Sequence, residues 1–281
     1  MTGSRRGFLR LVGGTLAGAA VVGAAATSKA KDLTVEVPPE EPLGPPTVQI
    51  DFPAGELTAG TDVPRLVGEG GRQHPNAKRH SLEVIWNMDM EKKLVALTFD
   101  DGPVPGVSEM LYDILDEAKV KATFFMVGKR VREFEGLLNK RMDRHEVGNH
   151  TYSHESLFNK TDSDALQDMN DAHKAIAEVI GREPTLFRPP YSHVSGGTLV
   201  AAAAMGYDIV MWNNNIGYTG FEGDEARLVR EVVQTTTPGS IVLCHDGGPE
   251  YLISIRNVPN IIAELKKQGY EFVTIPELRS A

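Results

Sequence analysis

The chain has 281 residues, of which 41% are hydrophobic and 24% charged, proportions of an ordinary globular protein rather than a disordered chain or a repeat array. A net charge of −9 disfavours nucleic acid as a partner, because phosphate binding needs clustered Lys and Arg. The one cysteine, Cys244, rules out an intrachain disulfide and, in the run Ile241-Val242-Leu243-Cys244, reads as a small buried hydrophobe.

Two consecutive arginines, Arg5 and Arg6, precede Phe8 and Leu9. A weakly apolar Ala- and Gly-rich stretch from Leu11 to Ala26 follows, with small residues at Ala24, Ala26 and Ala30. A basic segment, an apolar segment and small residues in this order read as a cleavable export signal over residues 1–30. The segment resembles bacterial signals of the twin-arginine type, which implies export of an already folded protein to periplasm, cell wall or exterior. A retained N-terminal anchor is the other reading, but the stretch is short and poor in Leu and Ile for a spanning helix. No stable membrane insertion is expected after cleavage. Residues 31–80 hold 8 of the 17 prolines and read as a linker or N-terminal extension. Residues 81–281 are the expected catalytic domain.

From Ser81 onward apolar runs alternate with amphipathic, helix-length stretches. Strands are expected over Lys93–Asp100, Lys121–Gly128, His145–His150, Thr185–Pro190, Tyr207–Trp212, Gly239–His245 and Tyr270–Ile275. Helices are expected over residues 107–120, 129–141 and 162–181, the last with Gly181 as its C-cap, and near 200, 230 and 262. Such alternation implies right-handed βαβ units and a parallel sheet, either a barrel or a doubly wound sheet. Function then belongs at the C-terminal ends of the strands.

Those ends carry the unusual residues: Asp100-Asp101, Asn149-His150, Arg188-Pro189-Pro190-Tyr191, Trp212 to Asn215, and His245-Asp246. His150 and His154 are four apart, so one helical turn would put both imidazoles on one face. Two imidazoles and one carboxylate, from Asp100 or Asp101, suit Zn2+ or another divalent transition metal and leave positions open. The second aspartate is a candidate general base, which Arg188 would keep ionised through a bidentate pair. His245 could protonate a leaving amine.

TFDDGP, HTYSH, RPPY and the LCH of IVLCHDG, in this order, resemble the polysaccharide deacetylase family with the NodB homology domain, carbohydrate esterase family 4. The resemblance spans roughly residues 91–279. It implies a distorted (β/α)7 barrel and metal-dependent removal of acetyl groups from sugar polymers. It also implies Asp100 as general base and Asp101, His150 and His154 as metal ligands, with Arg188 orienting the base. The Tyr191 backbone N–H becomes an oxyanion donor, His245 the general acid, Leu243 the lining of the acetyl pocket, and Trp212 an aromatic beside the acetate site. The metal would be Zn2+, with Co2+, Ni2+ or Mn2+ accepted by the same ligands.

The chain departs from the family after Trp212. Asn215 stands where an Asp is common, so either Asp208 or Asp246 supports His245, or His245 is a weaker acid. Ser192-His193 after Tyr191 is also unusual. Aromatics make up only 7% of residues, and no sugar-stacking platform outside the site is expected. The expected activity is N-deacetylation of peptidoglycan or a chitin-like glycan. The alternatives are an acetyl-xylan esterase, a small-molecule amidase, or a non-catalytic surface module binding metal or glycan.

Overall fold

The computed structural model describes residues 47–51, 81–217, 220 and 223–281. The expected export signal and most of the Pro-rich segment lie outside the described residues. The strands are β1 (Thr47–Asp51), β2 (Ser81–Ile85), β3 (Leu94–Asp100), β4 (Thr123–Met126), β5 (Glu146–Asn149), β6 (Leu186–Phe187), β7 (Asp208–Val210), β8 (Asn214–Asn215), β9 (Ser240–His245) and β10 (Glu271–Phe272). Seven of these answer the seven expected strands. The helices are α1 (Ser108–Ala118), α2 (Gly128–Glu133), α3 (Asp162–Ile180), α4 (Gly196–Met205), α5 (Glu225–Thr235), α6 (Leu252–Lys267) and α7 (Ile275–Arg279).

The sheet runs β1-β2-β7-β6-β5-β4-β3-β9-β8, with β10 added to β3. Every pairing is parallel except β1 with β2. β3 is central because LVALTFD is apolar on both faces, as a strand covered on both sides must be. The sheet curls into a half-barrel of the expected distorted (β/α)7 kind. Its two flanks meet at a single antiparallel bridge, Asn87 with Ser240, and at Met88 N–H donating to the Gly239 carbonyl at 2.9 Å. Gly239 has φ +82, and a Cβ there would lie 1.8 Å from the Met88 carbonyl oxygen, so this closure needs glycine.

Side chains alternate across the sheet. Leu97, Phe99, Val242 and Cys244 face the helices and pack with Leu111, Leu115, Ile255, Val258 and Ile261. Ala96, Phe125, Leu186, Val210 and Ile241 fill the barrel interior. α3 starts at its Thr161 cap, whose side chain accepts from Asp164 N–H, and ends on Gly181 in the left-handed region, as expected. The helix expected over 129–141 is shorter. It breaks at Phe134 (φ −122), two residues before the weak helix former Gly136, and continues as 3-10 turns.

Candidate active site

The register of β3 on β9 sets Asp100 beside His245. Alternation puts Thr98 and Asp100 of β3, and Leu243 and His245 of β9, on the face opposite Phe99 and Cys244. Arg188 leaves the end of β6 and crosses beneath this row, fully buried. Its Nη1 donates to Asp100 Oδ1 at 2.7 Å and to Thr98 Oγ1 at 2.8 Å. Its Nε and Nη2 donate to the Val210 and Met211 carbonyls, each at 2.9 Å. The guanidinium lies 4.2 Å from the Phe125 ring and 5.4 Å from that of Trp212. Burial pulls the Arg188 pKa below its ordinary value, and the Asp100 carboxylate opposes this. The expected bidentate pair is not formed. The guanidinium gives one contact to the carboxylate and spreads the rest over a hydroxyl and two carbonyls, because the strand ends place those acceptors within its fork.

His150 follows the end of β5, and its N–H donates to the Met126 carbonyl at 3.0 Å. Its Nδ1 lies 2.6 Å from the Arg188 carbonyl, which accepts the ring proton and leaves the Nε2 lone pair outward. The segment to His154 is not the helical turn that the spacing suggested. It is a tight turn with Thr151 at φ 65 and His154 at φ 59, and this turn brings the two rings to 5.1 Å. Asp168 of α3, which sequence reasoning missed, holds the turn. Its Oδ1 accepts the Tyr152 and Ser153 N–H groups at 2.9 Å each, and its Oδ2 accepts Ser153 Oγ at 2.6 Å and Lys160 Nζ at 3.1 Å. Asn149 adds a fifth tie, its Oδ1 accepting the Thr151 N–H at 2.8 Å. His145, five residues before His150, belongs to the opposite end of β5, where its Nδ1 accepts the Ala122 N–H at 3.1 Å.

Asp101, one step beyond β3, adopts φ 79 and aims its carboxylate at both imidazoles. Its Oδ1 lies 2.9 Å from His154 Nε2 and 3.4 Å from His150 Nε2. The three donor atoms all lie within 4.8 Å of one another. Ligands about 2.1 Å from a tetrahedral ion stand roughly 3.4 Å apart, so the set fits a zinc-like ion and needs little rearrangement. Burial raises the Asp101 pKa, yet the hydrogen bonds from His150 and His154 hold it well below the usual carboxylate range. Six non-glycine residues have positive φ among the described residues. Lys119 ends α1, and the other five, Asp101, Thr151, His154, Tyr191 and Ser192, lie in the loops of this site.

His245 stacks on Tyr251, with ring centroids 4.8 Å apart and planes 15° apart. Burial lowers its pKa, and Asp100 and Asp101 partly offset that. The two carboxylates considered as its support are committed elsewhere. Asp208 stands at the start of β7, away from the strand end that bears the site, and accepts the Glu83 N–H at 3.0 Å and Arg279 Nη1 at 2.8 Å. Asp246 accepts the Gly102 N–H at 3.1 Å and the Ser108 hydroxyl, and burial pushes its pKa up to about 7. Asn214 donates to the Val232 carbonyl and to Thr236 Oγ1 in the helix layer, so the pleat turns Asn215 to the face of its register partner Leu243. Trp212 lies over Arg188. Tyr191 is 60% exposed, with its ring 5.1 Å from that of His154.

A family model described as "Polysaccharide deacetylase" matches residues 87–210. A peptidoglycan-N-acetylglucosamine deacetylase of Bacillus cereus is 36% identical over 201 residues, which is 69% of this chain and 92% of that protein. The peptidoglycan-N-acetylmuramic acid deacetylase PdaC of Bacillus subtilis is 33% identical over 207 residues, 73% of this chain, which spans only 43% of that longer protein. The crystal structure of a peptidoglycan N-acetylglucosamine deacetylase in complex with an N-hydroxybenzamide superposes with a TM-score of 0.65 at 29% identity. That match covers 69% of this chain and 92% of the other.

Proposed function

This chain belongs to the polysaccharide deacetylase family, and we propose that it removes N-acetyl groups from an amino-sugar glycan outside the cytoplasm, with peptidoglycan as the leading substrate and a chitin-like glycan next. The observation that carries the reading is the convergence of Asp101, His150 and His154 on one point beside the buried Asp100–Arg188 pair. A module that only binds metal or glycan needs neither Asp100 nor Arg188. The names of the relatives point to peptidoglycan, and the segment 1–30 points to export.

Asp101, His150 and His154 would hold a divalent ion, with Zn2+ the first choice and Co2+, Ni2+ or Mn2+ tolerated by the same donors. When bound, that ion supplies Lewis acidity toward the acetyl carbonyl. Asp100 takes a proton from the attacking water as general base, and Arg188 fixes its carboxylate in direction. The Tyr191 N–H stabilises negative charge on the former carbonyl oxygen. Leu243 and Trp212 enclose the acetyl methyl. His245 delivers a proton to the departing amine, and acetate leaves.

Acetate release from peptidoglycan and from chitin oligomers, measured with and without a chelator and in Asp100→Asn, tests the reading. Chelator-sensitive release that Asp100→Asn abolishes is the expected result. Release from acetylated xylan alone points to an esterase, and glycan binding without release by the wild type points to a non-catalytic module.

A further inference from the structure

Phe158 and Tyr191 are the exposed large hydrophobic side chains among the described residues, each 60% exposed. Single exposed apolar residues are common and need no explanation. These two belong to one row of rings that starts at a metal ligand. From His154 the row passes to Tyr191 at 5.1 Å, to His193 at 5.7 Å, and to Phe158 at 6.1 Å between centroids.

The row is built, not incidental. Ser156 ties its outer half together: its hydroxyl accepts the Phe158 N–H at 3.3 Å and pairs with His193 Nδ1 at 2.7 Å. At the inner half, Tyr191 and Ser192 are consecutive left-handed residues, φ 58 and 59, without a glycine between them. That conformation is unfavourable by roughly 1–3 kcal/mol per residue. It turns the Tyr191 ring outward, 60% exposed, with its hydroxyl 3.4 Å from His154 Nδ1. A costly backbone that exposes an aromatic ring beside reactive groups is expected where a ligand will cover the ring.

We propose that Tyr191, His193 and Phe158 form a sugar-stacking subsite, which takes the pyranose next to the N-acetylated unit along the glycan chain. The proposal rests on the glycan deacetylase reading and adds a determinant of chain-length preference. The chemistry matches one side of a β-linked sugar ring, whose axial C–H bonds make an apolar face while its hydroxyls project at the edge. Aromatic faces cover the first, and His193 offers a ring nitrogen to the second. Along the chain the exposed polar residues Ser153, Glu155 and Ser192 alternate with the ring residues, which argues against the larger continuous apolar patch of a protein-docking surface. The unusual Ser192-His193 pair after RPPY is thereby given a role, in a stacking surface that the low aromatic content did not announce.

The test compares kcat and KM for N-acetylated β-1,4-linked oligomers of one, two, four and six sugars in the wild type, Phe158→Ala, His193→Ala and Phe158→Tyr. In parallel, binding of the six-sugar oligomer to each metal-loaded protein is measured by calorimetry. One lost stacking contact predicts that the wild-type preference for long over short substrates shrinks about 5- to 10-fold in Phe158→Ala, through KM rather than kcat. Phe158→Tyr restores the preference. A chain-length preference equal in all four proteins, with equal oligomer affinity, overturns the subsite and leaves the deacetylase reading intact. A wild type that releases acetate from neither peptidoglycan nor any oligomer, and binds no oligomer, removes the reading and the subsite together.

Discussion

Arg188 Nη1 lies 2.7 Å from Asp100 Oδ1, and both side chains are buried. The same guanidinium satisfies Thr98 Oγ1 and two main-chain carbonyls. Removing it strands one buried carboxylate and three further acceptors. Arg188→Ala should therefore lose about 3–5 kcal/mol of stability in urea unfolding. Arg188→Lys should recover only part, since a point charge cannot reach four separately placed acceptors. An unfolding midpoint unchanged in Arg188→Ala would show that the pair is not buried in solution.

Metal affinity should depend on a residue that cannot touch the metal. Asp168 fixes the turn between His150 and His154 through two backbone N–H groups and a hydroxyl. Asp168→Ala should weaken Co2+ binding on the order of 10-fold or more, read from the visible absorption of the bound ion. Equal affinity in Asp168→Ala and the wild type would mean that the turn holds its shape alone.

Acid should destabilise the fold through His145. Burial first, then the nearby Arg144 and Arg182, lower its pKa from 6.5 to about 4. Its Nδ1 must stay unprotonated to accept the Ala122 N–H. The unfolded chain binds the proton more readily, so stability is full above about pH 6.5, declines as pH falls below that value, and levels off below about pH 4. The full loss is about 3 kcal/mol. His145→Asn keeps an acceptor without the titration, and its stability between pH 7 and 4 should fall less than that of the wild type. Parallel curves would clear His145.

Asn215→Asp should strengthen the acid. Asn215 shares a face with its register partner Leu243, two residues before His245 on β9. A carboxylate there favours the imidazolium, so the His245 pKa rises. The alkaline limb of the pH–rate profile should move up by about half a unit to one unit. A limb that stays in place would separate Asn215 from His245.

The central strands were legible in sequence because they are continuous apolar runs, and the residues of the candidate site drew attention because each run ends in a group with chemistry. What stayed hidden has physical reasons. The spacing of His150 and His154 fits a helical turn as well as a left-handed turn, and only the φ angles at Thr151 and His154 separate the two. Asp168 sits in DSDALQDMNDAH, where one acid among several on an amphipathic helix looks solvated. Tyr251 reaches His245 from the start of a different element, and no local pattern announces such a contact. β1 was concealed by surrounding prolines, although Val48 and Ile50 do alternate with polar neighbours.

That short strand has a consequence for the whole sheet. β1 occupies the outer side of β2, pairing Thr47 with Ile85 through Asp51 with Ser81. A shortened chain that begins at Ser81 would keep every reactive group and yet bare a row of unpaired amides and carbonyls, an invitation to self-association through strand-to-strand docking. Solubility, rather than turnover, is where the loss of residues 47–51 should first be felt.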